Sequence, residues 1–460
     1  MFINEFEVIQ ESPFKYDKLN RQGEIEKLTR LFEVVGNQMV LAIDSPWGTG
    51  KSTFLNMWNC HLRNKGYKTI FFNAWQNDFM EEPFIAFVSS IREELIEQDK
   101  KKAFTERAQK VGTMLLKQSP KILTKVVEKH TGVDISEEID IDGIESFIGK
   151  QIDNYQSNRN SLEKFKEELS KHTQDEIDRT GNPIVIFIDE LDRCRPNYAI
   201  SLMERIKHIF NVPNIIFVLG IDKEALSNSI KVIYGNGTDI NGYLSRFIDM
   251  EYTLNETAKK NYIEHLLIKY GFQSLIEQVY NTNRDTMEYS DFCELIQEII
   301  TNFNISLRDA EKILTNIYIT LNTSKVSSNL MCAYIFMSVL RKVDNESYRM
   351  VKERKITTKE LIEKFDRNNI LSEWINEPYG NGIFLKGQLM WLLNEEDEIR
   401  VLEEVCRNKE SQDIYIQKRL LEIIKRNKSY KPNGFDERDT RKVLSQLAIQ
   451  IEMYNGLDKL

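Results

Sequence analysis

The chain has 460 residues, of which 41% are hydrophobic and 29% charged, and its formal net charge is −9. This length suits roughly two or three globular domains, and the net charge argues against a surface that attracts nucleic acid as a whole. Five cysteines and five histidines are scattered without paired spacing, so no metal-ligand motif is recognisable. We expect no signal peptide, no transmembrane segment and a location in the cytoplasm.

The first half of the chain alternates apolar runs of strand length with segments of helical periodicity. Strands are predicted at Met39–Ile43, Tyr67–Asn73, Pro183–Ile188, Asn214–Gly220 and Phe247–Leu254. Helices are predicted at Arg21–Val35, Glu82–Glu97 and Asn197–Phe210. This alternation predicts an α/β core with a mostly parallel sheet and flanking helices on both of its faces.

A stretch of alternating charges, residues 101–181, interrupts this pattern and predicts a helical insertion between two halves of the core. Its part Ala103–His130 carries six Lys or Arg residues against two Glu. Within that part, Lys121–Lys129 is basic and amphipathic, which suits a nucleic-acid backbone, a membrane surface or packing against neighbouring helices. The partner of the insertion is left open among protein, nucleic acid and membrane.

Helical spacing dominates beyond residue 255, where strands become scarce. Helices are predicted at Ala258–Tyr270, Asp291–Phe303, Leu307–Thr320, Asn329–Lys342, Thr358–Phe365, Ile399–Arg407, Ile414–Arg426 and Asp436–Met453. Turn residues predict a long loop at Glu377–Gly387. We therefore predict a core in two parts, 17–100 and 182–255, which are separated by the insertion, 101–181. A helical lid (256–344) and a C-terminal helical domain (345–460) follow the core.

The stretch Ile43–Thr53 (IDSPWGTGKST) follows the first predicted strand and opens a helix. Gly48 and Gly50 let the backbone N–H groups turn toward phosphate oxygens, and the helix adds the positive end of its dipole. Lys51 can reach the β- and γ-phosphates, and Ser52 can bind Mg²⁺. The predicted cofactors are ATP and Mg²⁺, and the predicted binding residues are Ser45, Pro46, Trp47, Gly48, Thr49, Gly50, Lys51, Ser52 and Thr53.

A second motif, Val185–Cys194 (VIFIDELDRC), ends the third predicted strand in acidic residues. Asp189 is expected beside the phosphate-binding loop, where it can hold Mg²⁺ through water together with Ser52. Glu190 is placed to orient or deprotonate a water for attack on the γ-phosphorus, and Asp192 is the second candidate. Three acids in four positions are hard to explain as part of a buried core strand, so the motif predicts a catalytic role.

The segments SPWGTGKST, FFNAWQND, IVIFIDELDRC and NIIFVLGID together resemble the KAP class of P-loop NTPases. The resemblance covers roughly Asp17–Leu254 and implies a nucleotide site of the additional-strand, catalytic-glutamate type. Ser45 departs from the usual pattern, which has a glycine there. Many members carry a transmembrane hairpin where this chain has its charged insertion, which favours a soluble bacterial-type member. Some bacterial relatives belong to anti-phage defence clusters, so the resemblance allows that role.

The same resemblance implies roles for residues outside the two motifs. Arg246, just before the last predicted strand, resembles the arginine that ring-forming AAA+ ATPases extend into a neighbour's site, with a surface ion pair as the alternative. Arg308, which opens a lid helix, resembles a second sensor that contacts the γ-phosphate. Asp222 resembles the first sensor. Arg193 is expected to brace the strand end or a neighbouring acid, and Trp75 is expected to pack.

These features predict a Mg²⁺-dependent ATPase whose hydrolysis switches the insertion and the lid between two arrangements. The predicted catalytic residues are Glu190, Lys51, Asp192, Arg246 and Arg308. Two rivals stay open: a nucleotide-gated scaffold with negligible turnover, and an ATPase stimulated by nucleic acid. The expected protein partner is a second copy of the chain or a separate effector protein.

Overall fold

The computed structural model describes residues 8–35, 38–117, 141–254, 259–280, 287–303, 305–324, 326–366, 370–408, 415–429 and 440–452. The chain divides into two units, Met1–Asn255 and Glu256–Leu460. The predicted basic segment Lys121–Lys129 and the first residues of the predicted helix Asp436–Met453 lie outside the described residues. The finer division of the sequence into five segments stays a prediction.

A parallel sheet of five strands forms the centre of the first unit. Its strands are β1 (Met39–Asp44), β2 (Thr69–Asn73), β3 (Ile184–Asp189), β4 (Ile215–Ile221) and β5 (Met250–Thr253). Their order across the sheet is β2-β3-β4-β1-β5, so β4 lies between the two strands that carry the chemical motifs. Every residue of β3 and β4 is buried, as expected of parallel strands that are covered on both faces.

Helices cover both faces of this sheet. They are α1 (Gln22–Val35), α2 (Lys51–Asn64), α3 (Pro83–Leu95), α4 (Lys101–Lys117), α5 (Ile141–Thr180), α6 (Pro196–Phe210), α7 (Lys223–Tyr234) and α8 (Ile240–Leu244). Because side chains alternate along a strand, Val40 and Ile186 belong to one hydrophobic cluster, and Leu41 and Phe187 belong to the other. The predicted α/β fold with flanking helices is confirmed.

The described part of the predicted insertion is helical, as the alternating charges indicated. Helices α4 and α5 contact each other through Phe104 and Phe165, whose ring centroids are 5.4 Å apart. Arg107 and Glu168 form an ion pair across the same helix pair. Phe165 also contacts Phe84 of α3 at 5.8 Å between ring centroids, so this helix pair is anchored to the core.

The described part of the second unit consists of helices, and no strand is found in it, which confirms the all-α C-terminal region. The helices are α9 (Lys259–Lys269), α10 (Phe272–Tyr280), α11 (Tyr289–Asn302), α12 (Leu307–Thr323), α13 (Met331–Val343), α14 (Asn345–Glu353), α15 (Thr358–Phe365), α16 (Ile370–Ile375), α17 (Asn381–Leu393), α18 (Glu396–Asn408), α19 (Tyr415–Ser429) and α20 (Thr440–Glu452). Over the described residues, no helix has the length and apolar character needed to cross a bilayer.

The predicted long loop at Glu377–Gly387 is wrong, because α17 begins at Asn381. A Cβ atom at Gly382 would lie 2.2 Å from the carbonyl oxygen of Trp374. A Cβ atom at Gly387 would lie 2.7 Å from Cγ2 of Ile423, on α19. The two glycines therefore permit close packing of a buried helix, and they do not form a turn.

The last strand is shorter than predicted. The sequence predicted a strand over Phe247–Leu254, whereas β5 begins at Met250. The backbone N–H groups of Phe247 and Ile248 donate to the carbonyl of Leu244, at 2.9 and 3.1 Å, and continue the turn after α8. Both side chains are buried in the core, so their apolar character reflects burial in a turn and not in a strand.

Candidate functional site

The phosphate loop, residues 45–53, leaves the carboxyl end of β1 and enters α2. Gly48 and Gly50 have φ angles of 81° and 87°, in the left-handed region that glycine adopts without steric cost. The hydroxyl of Ser45 lies 2.6 Å from the hydroxyl of Thr49. Ser45, which stands where the usual pattern has a glycine, therefore contributes a side-chain hydrogen bond within the loop that a glycine could not form.

Lys51, the first residue of α2, is buried under this loop with 7% of its surface exposed. Its Nζ donates to the carbonyl of Ser45 at 3.1 Å and lies 3.7 Å from Oδ2 of Asp192. Burial lowers the pKa of Lys51, and the nearby carboxylates, first Asp192 and then Asp189, oppose that shift. The loop thus presents a desolvated cation at a helix N-terminus, which is an arrangement that binds phosphate.

Asp189 ends β3 and is buried beside the start of α2. Burial raises the pKa of its carboxyl, although hydrogen bonds from the Ser52 side chain and from the Glu190 backbone N–H, at 2.8 Å, act in the opposite direction. In this position the carboxylate leaves no room for a side chain at residue 220 of β4, which is glycine. A Cβ atom at Gly220 would lie 2.8 Å from Oδ1 of Asp189 and 2.4 Å from Cδ1 of Leu55.

The contact between Ser52 and Asp189 fits a Mg²⁺ ion. Both side chains offer the hard oxygen donors that Mg²⁺ prefers, and this cation is usually held by one or two carboxylates together with water and substrate phosphates. Among the described residues, no group of three or more His, Cys, Asp or Glu side chains could hold a metal ion by itself. A bound Mg²⁺ would supply positive charge next to the phosphates.

Glu190 directly follows β3 and has a left-handed φ of 60°. Its Oε2 accepts a hydrogen bond from Nδ2 of Asn73 at 2.9 Å, and its Oε1 lies 2.6 Å from a guanidinium nitrogen of Arg193. Arg193 in turn lies over the ring of Trp75, 5.9 Å from the ring centroid. The carboxylate is therefore held on both oxygens. The sequence analysis did not identify Asn73, because its place beside Asp189 depends on the pairing of β2 with β3.

Asp192 belongs to the hydrogen-bond network of the phosphate loop. Its Oδ2 accepts a hydrogen bond from the indole N–H of Trp47, while Oδ1 is buried and has no hydrogen-bond partner among the described residues. The backbone N–H of Trp47 donates to Oδ2 of Asp222 at 3.2 Å. Asp222 also caps α7, where its Oδ1 accepts from the N–H of Ala225 at 3.1 Å. Asp192 and Asp222 thus hold the side chain and the backbone of Trp47 in place.

The predicted site residues fall into two groups. The structure brings together, at the carboxyl ends of β1 and β3, the residues Ser45, Pro46, Trp47, Gly48, Thr49, Gly50, Lys51, Ser52, Thr53, Asp189, Glu190 and Asp192. Arg308 belongs to the second unit and is exposed in the first turn of α12, whose N-terminus is capped by the Ser306 side chain. Its contact with a γ-phosphate stays a prediction.

Arg246 lies at the amino edge of the sheet. It is exposed and lines a cavity of about 670 Å³ with Met39 and Val40, the first residues of β1. The six residues of β1, which span about 20 Å, separate this edge from the phosphate loop. Arg246 is therefore too far away to contact a phosphate bound at the loop of its own chain.

Comparison with known proteins identifies the family of the chain. A search of the curated proteins finds no match. The solved structure titled "Structure of C. elegans PCH-2" aligns with 12% identity over 74% of this chain and 71% of that chain, at a TM-score of 0.29, which is too low to support an argument. The family model for the KAP family P-loop domain matches residues 21–324, which include the phosphate loop and all five strands. The chain therefore belongs to the KAP family of P-loop NTPases.

Proposed function

We propose that this protein is a Mg²⁺-dependent ATPase that works as a molecular switch. The observation that carries the proposal is the convergence of Lys51, the Ser52–Asp189 pair and Glu190 at one edge of the sheet. A phosphate-binding cation, a Mg²⁺ site and a candidate base are the three components that γ-phosphate hydrolysis requires. Membership of the KAP family supports nucleotide binding in general.

Each of these side chains has a distinct role in the proposal. Lys51 donates to phosphate oxygens from the N-terminus of α2, where its charge is not screened by water. Glu190, which directly follows Asp189, orients the attacking water and accepts its proton once one of its two partners has released the carboxylate. The position of β4 between β1 and β3, together with Glu190, supports membership of the additional-strand, catalytic-glutamate class.

A nucleotide-gated scaffold with negligible turnover is the second candidate. The observation that favours it is the engagement of both carboxylate oxygens of Glu190, by Asn73 and by Arg193. A base that is held in this way must exchange a partner before it can reach a water. Stimulation by nucleic acid has less support, because two basic residues of α4, Lys101 and Arg107, already form ion pairs with acids of the same unit.

The proposal includes assembly of several copies of the chain. Arg246 lies about a strand length from its own phosphate loop, and its exposed guanidinium is free to enter the site of a neighbouring copy. A guanidinium so placed would stabilise the charge that develops on the transferred phosphoryl oxygens. A role of this switch in bacterial anti-phage defence rests on the family resemblance alone, and phage plating on cells with wild-type protein or the Lys51→Ala variant tests it.

The first test of the site is the Lys51→Ala variant. The substitution removes the buried cation of the loop, and the loss of a charge-assisted hydrogen bond predicts roughly 10- to 150-fold weaker ATP binding. Isothermal titration calorimetry with ATP and Mg²⁺ measures the change. Lys65→Ala, an exposed lysine just after the other end of α2, is the matched control and should bind ATP as the wild type does. Equal affinity of Lys51→Ala and wild type would contradict the assignment.

A further inference from the structure

A cavity of about 740 Å³ lies within the second unit. One of its walls is a single face of α14, because the lining residues of that helix follow the spacing i, i+3, i+4, i+7 and i+8. These residues are Asn345, Tyr348, Arg349, Lys352 and Glu353. The last turn of α13 adds Arg341 and Lys342, and α12 and the end of α20 complete the lining. The volume is in the range of about 300–1,000 Å³ that small-molecule sites occupy.

The two carboxylates of this lining are each neutralised by a lysine. Glu452 accepts from Nζ of Lys352 at 2.7 Å and from the hydroxyl of Tyr348 at 3.0 Å. Burial alone would raise the pKa of Glu452, but these two hydrogen bonds hold it below its usual value, so the side chain is ionised near neutral pH. Glu353 lies 2.6 Å from Nζ of Lys355, which is not part of the lining.

The remaining basic side chains leave an excess of positive charge in the cavity. Over the described residues, no carboxylate lies within 4.0 Å of the guanidinium group of Arg341 or of Arg349. Arg341 donates to the backbone carbonyl of Ile451, which carries no net charge. Lys342 is only loosely paired, at 4.0 Å from Asp309. This excess stands out in a chain whose net charge is −9.

We propose that this cavity binds a small phosphorylated molecule that carries at least two negative charges. Two guanidinium groups, Arg341 and Arg349, lie on adjacent helices and face the same space. The planar fork of a guanidinium matches two oxygens of a phosphate group, and each such pair is a charge-assisted interaction. A ligand with two phosphate groups would engage both arginines and Lys342. The second unit therefore has a ligand-binding site that is distinct from the nucleotide site at the phosphate loop.

The test uses the full-length Lys51→Ala chain, so that binding at the phosphate loop is suppressed. Inorganic pyrophosphate is titrated calorimetrically at low ionic strength, and we expect one equivalent to bind per chain. In the same background, Arg349→Glu should weaken this binding by about 10-fold or more, since an attractive charge becomes a repulsive one. Arg400→Glu is the matched control, because Arg400 lies on α18 with 73% of its side chain exposed and outside the cavity.

Three outcomes would overturn the proposal. These are no pyrophosphate binding to the Lys51→Ala chain, equal weakening by Arg400→Glu, and tighter binding of citrate than of pyrophosphate. If the loop of the Lys51→Ala chain still binds pyrophosphate, the stoichiometry becomes two, and Arg349→Glu should then remove one equivalent only. Arg349→Gln, which removes the charge without reversing it, should give a smaller loss, and thermal melting of each variant verifies that it is folded.

Discussion

The two edges of the sheet in the first unit differ in how their charged residues are arranged. At the carboxyl edge, Lys51, Asp189 and Asp192 are at most 7% exposed, Lys51 forms an ion pair with Asp192, and the carboxylate of Asp189 acts electrostatically on Lys51. At the amino edge, Arg246 is exposed beside an open cavity. The first arrangement lies within one chain, and burial strengthens the electrostatic interactions of its charges. The second is exposed to solvent, so the proposed role of Arg246 requires a neighbouring molecule.

The largest expected effect comes from the amino edge. Arg246→Ala should lower ATP turnover by about 10³–10⁵-fold if the arginine completes the site of a neighbour. Steady-state hydrolysis measures the loss. Lys207→Ala is the matched control, because Lys207 is an exposed cation that lines the same cavity.

A mixture of variants tests whether Arg246 acts between chains. Arg246→Ala and Lys51→Ala are each expected to be inactive alone. In mixed assemblies, some sites combine an intact Lys51 with an intact Arg246, so activity should return. Absence of recovery in a mixture that co-assembles would refute action in trans, and so would a wild-type enzyme that is fully active as a monomer.

The next effect in size concerns the carboxyl edge. Glu190→Gln should retain ATP binding but lower turnover by about 10²–10⁴-fold, because an amide can orient water and cannot accept its proton. Asp189→Asn should instead weaken the Mg²⁺ dependence and the nucleotide affinity together. Single-turnover hydrolysis and calorimetry separate the two effects. Wild-type turnover by Glu190→Gln would move the base role to another acid, first of all Asp192.

A smaller effect is expected from substitution of Gly220, a residue that carries no charge and contributes to the site through packing. Gly220→Ala places a methyl group against Asp189 and Leu55, and overpacking of this kind costs about 1–3 kcal/mol of stability. Mg²⁺-dependent ATP binding should weaken as the carboxylate is displaced. Gly23→Ala is the control, since a Cβ atom there meets nothing within 4 Å and should change stability by at most about 1 kcal/mol. Equal behaviour of the two variants would refute the packing argument.

The three central strands of the sheet could be predicted from sequence because β1, β3 and β4 are largely continuous apolar runs. Parallel strands that are buried on both faces have no polar alternation, so runs such as residues 184–188 are distinctive. The prediction failed where an apolar residue packs outside a strand and where a glycine packs outside a turn. Phe247 lies in a turn, and Gly382 lies inside a helix, because tertiary contacts determined both positions.

The phosphate loop and the acids after β3 could likewise be predicted from sequence, because their residue types are unusual for their positions. The residues that contact them could not be predicted. Asn73 is brought to Glu190 by the pairing of β2 with β3, across 117 residues of sequence. The contact of Trp47 with Asp192 spans 145 residues and has no local pattern. Such contacts follow from strand order, which periodicity does not specify.

Trp47 also provides an intrinsic fluorescent probe of the site. An indole is fluorescent, and its emission depends on the polarity and the hydrogen bonding around the ring. Trp47 is 51% exposed within the phosphate loop and donates to Asp192, whereas Trp58, Trp374 and Trp391 are buried elsewhere. Trp75 is 53% exposed, and Arg193, the partner of Glu190, lies over its ring. Nucleotide that binds the loop should therefore shift the tryptophan emission, and Trp47→Phe and Trp75→Phe should separate the contributions of the two exposed tryptophans. The binding of unlabelled nucleotide could then be followed in real time, without a coupled assay.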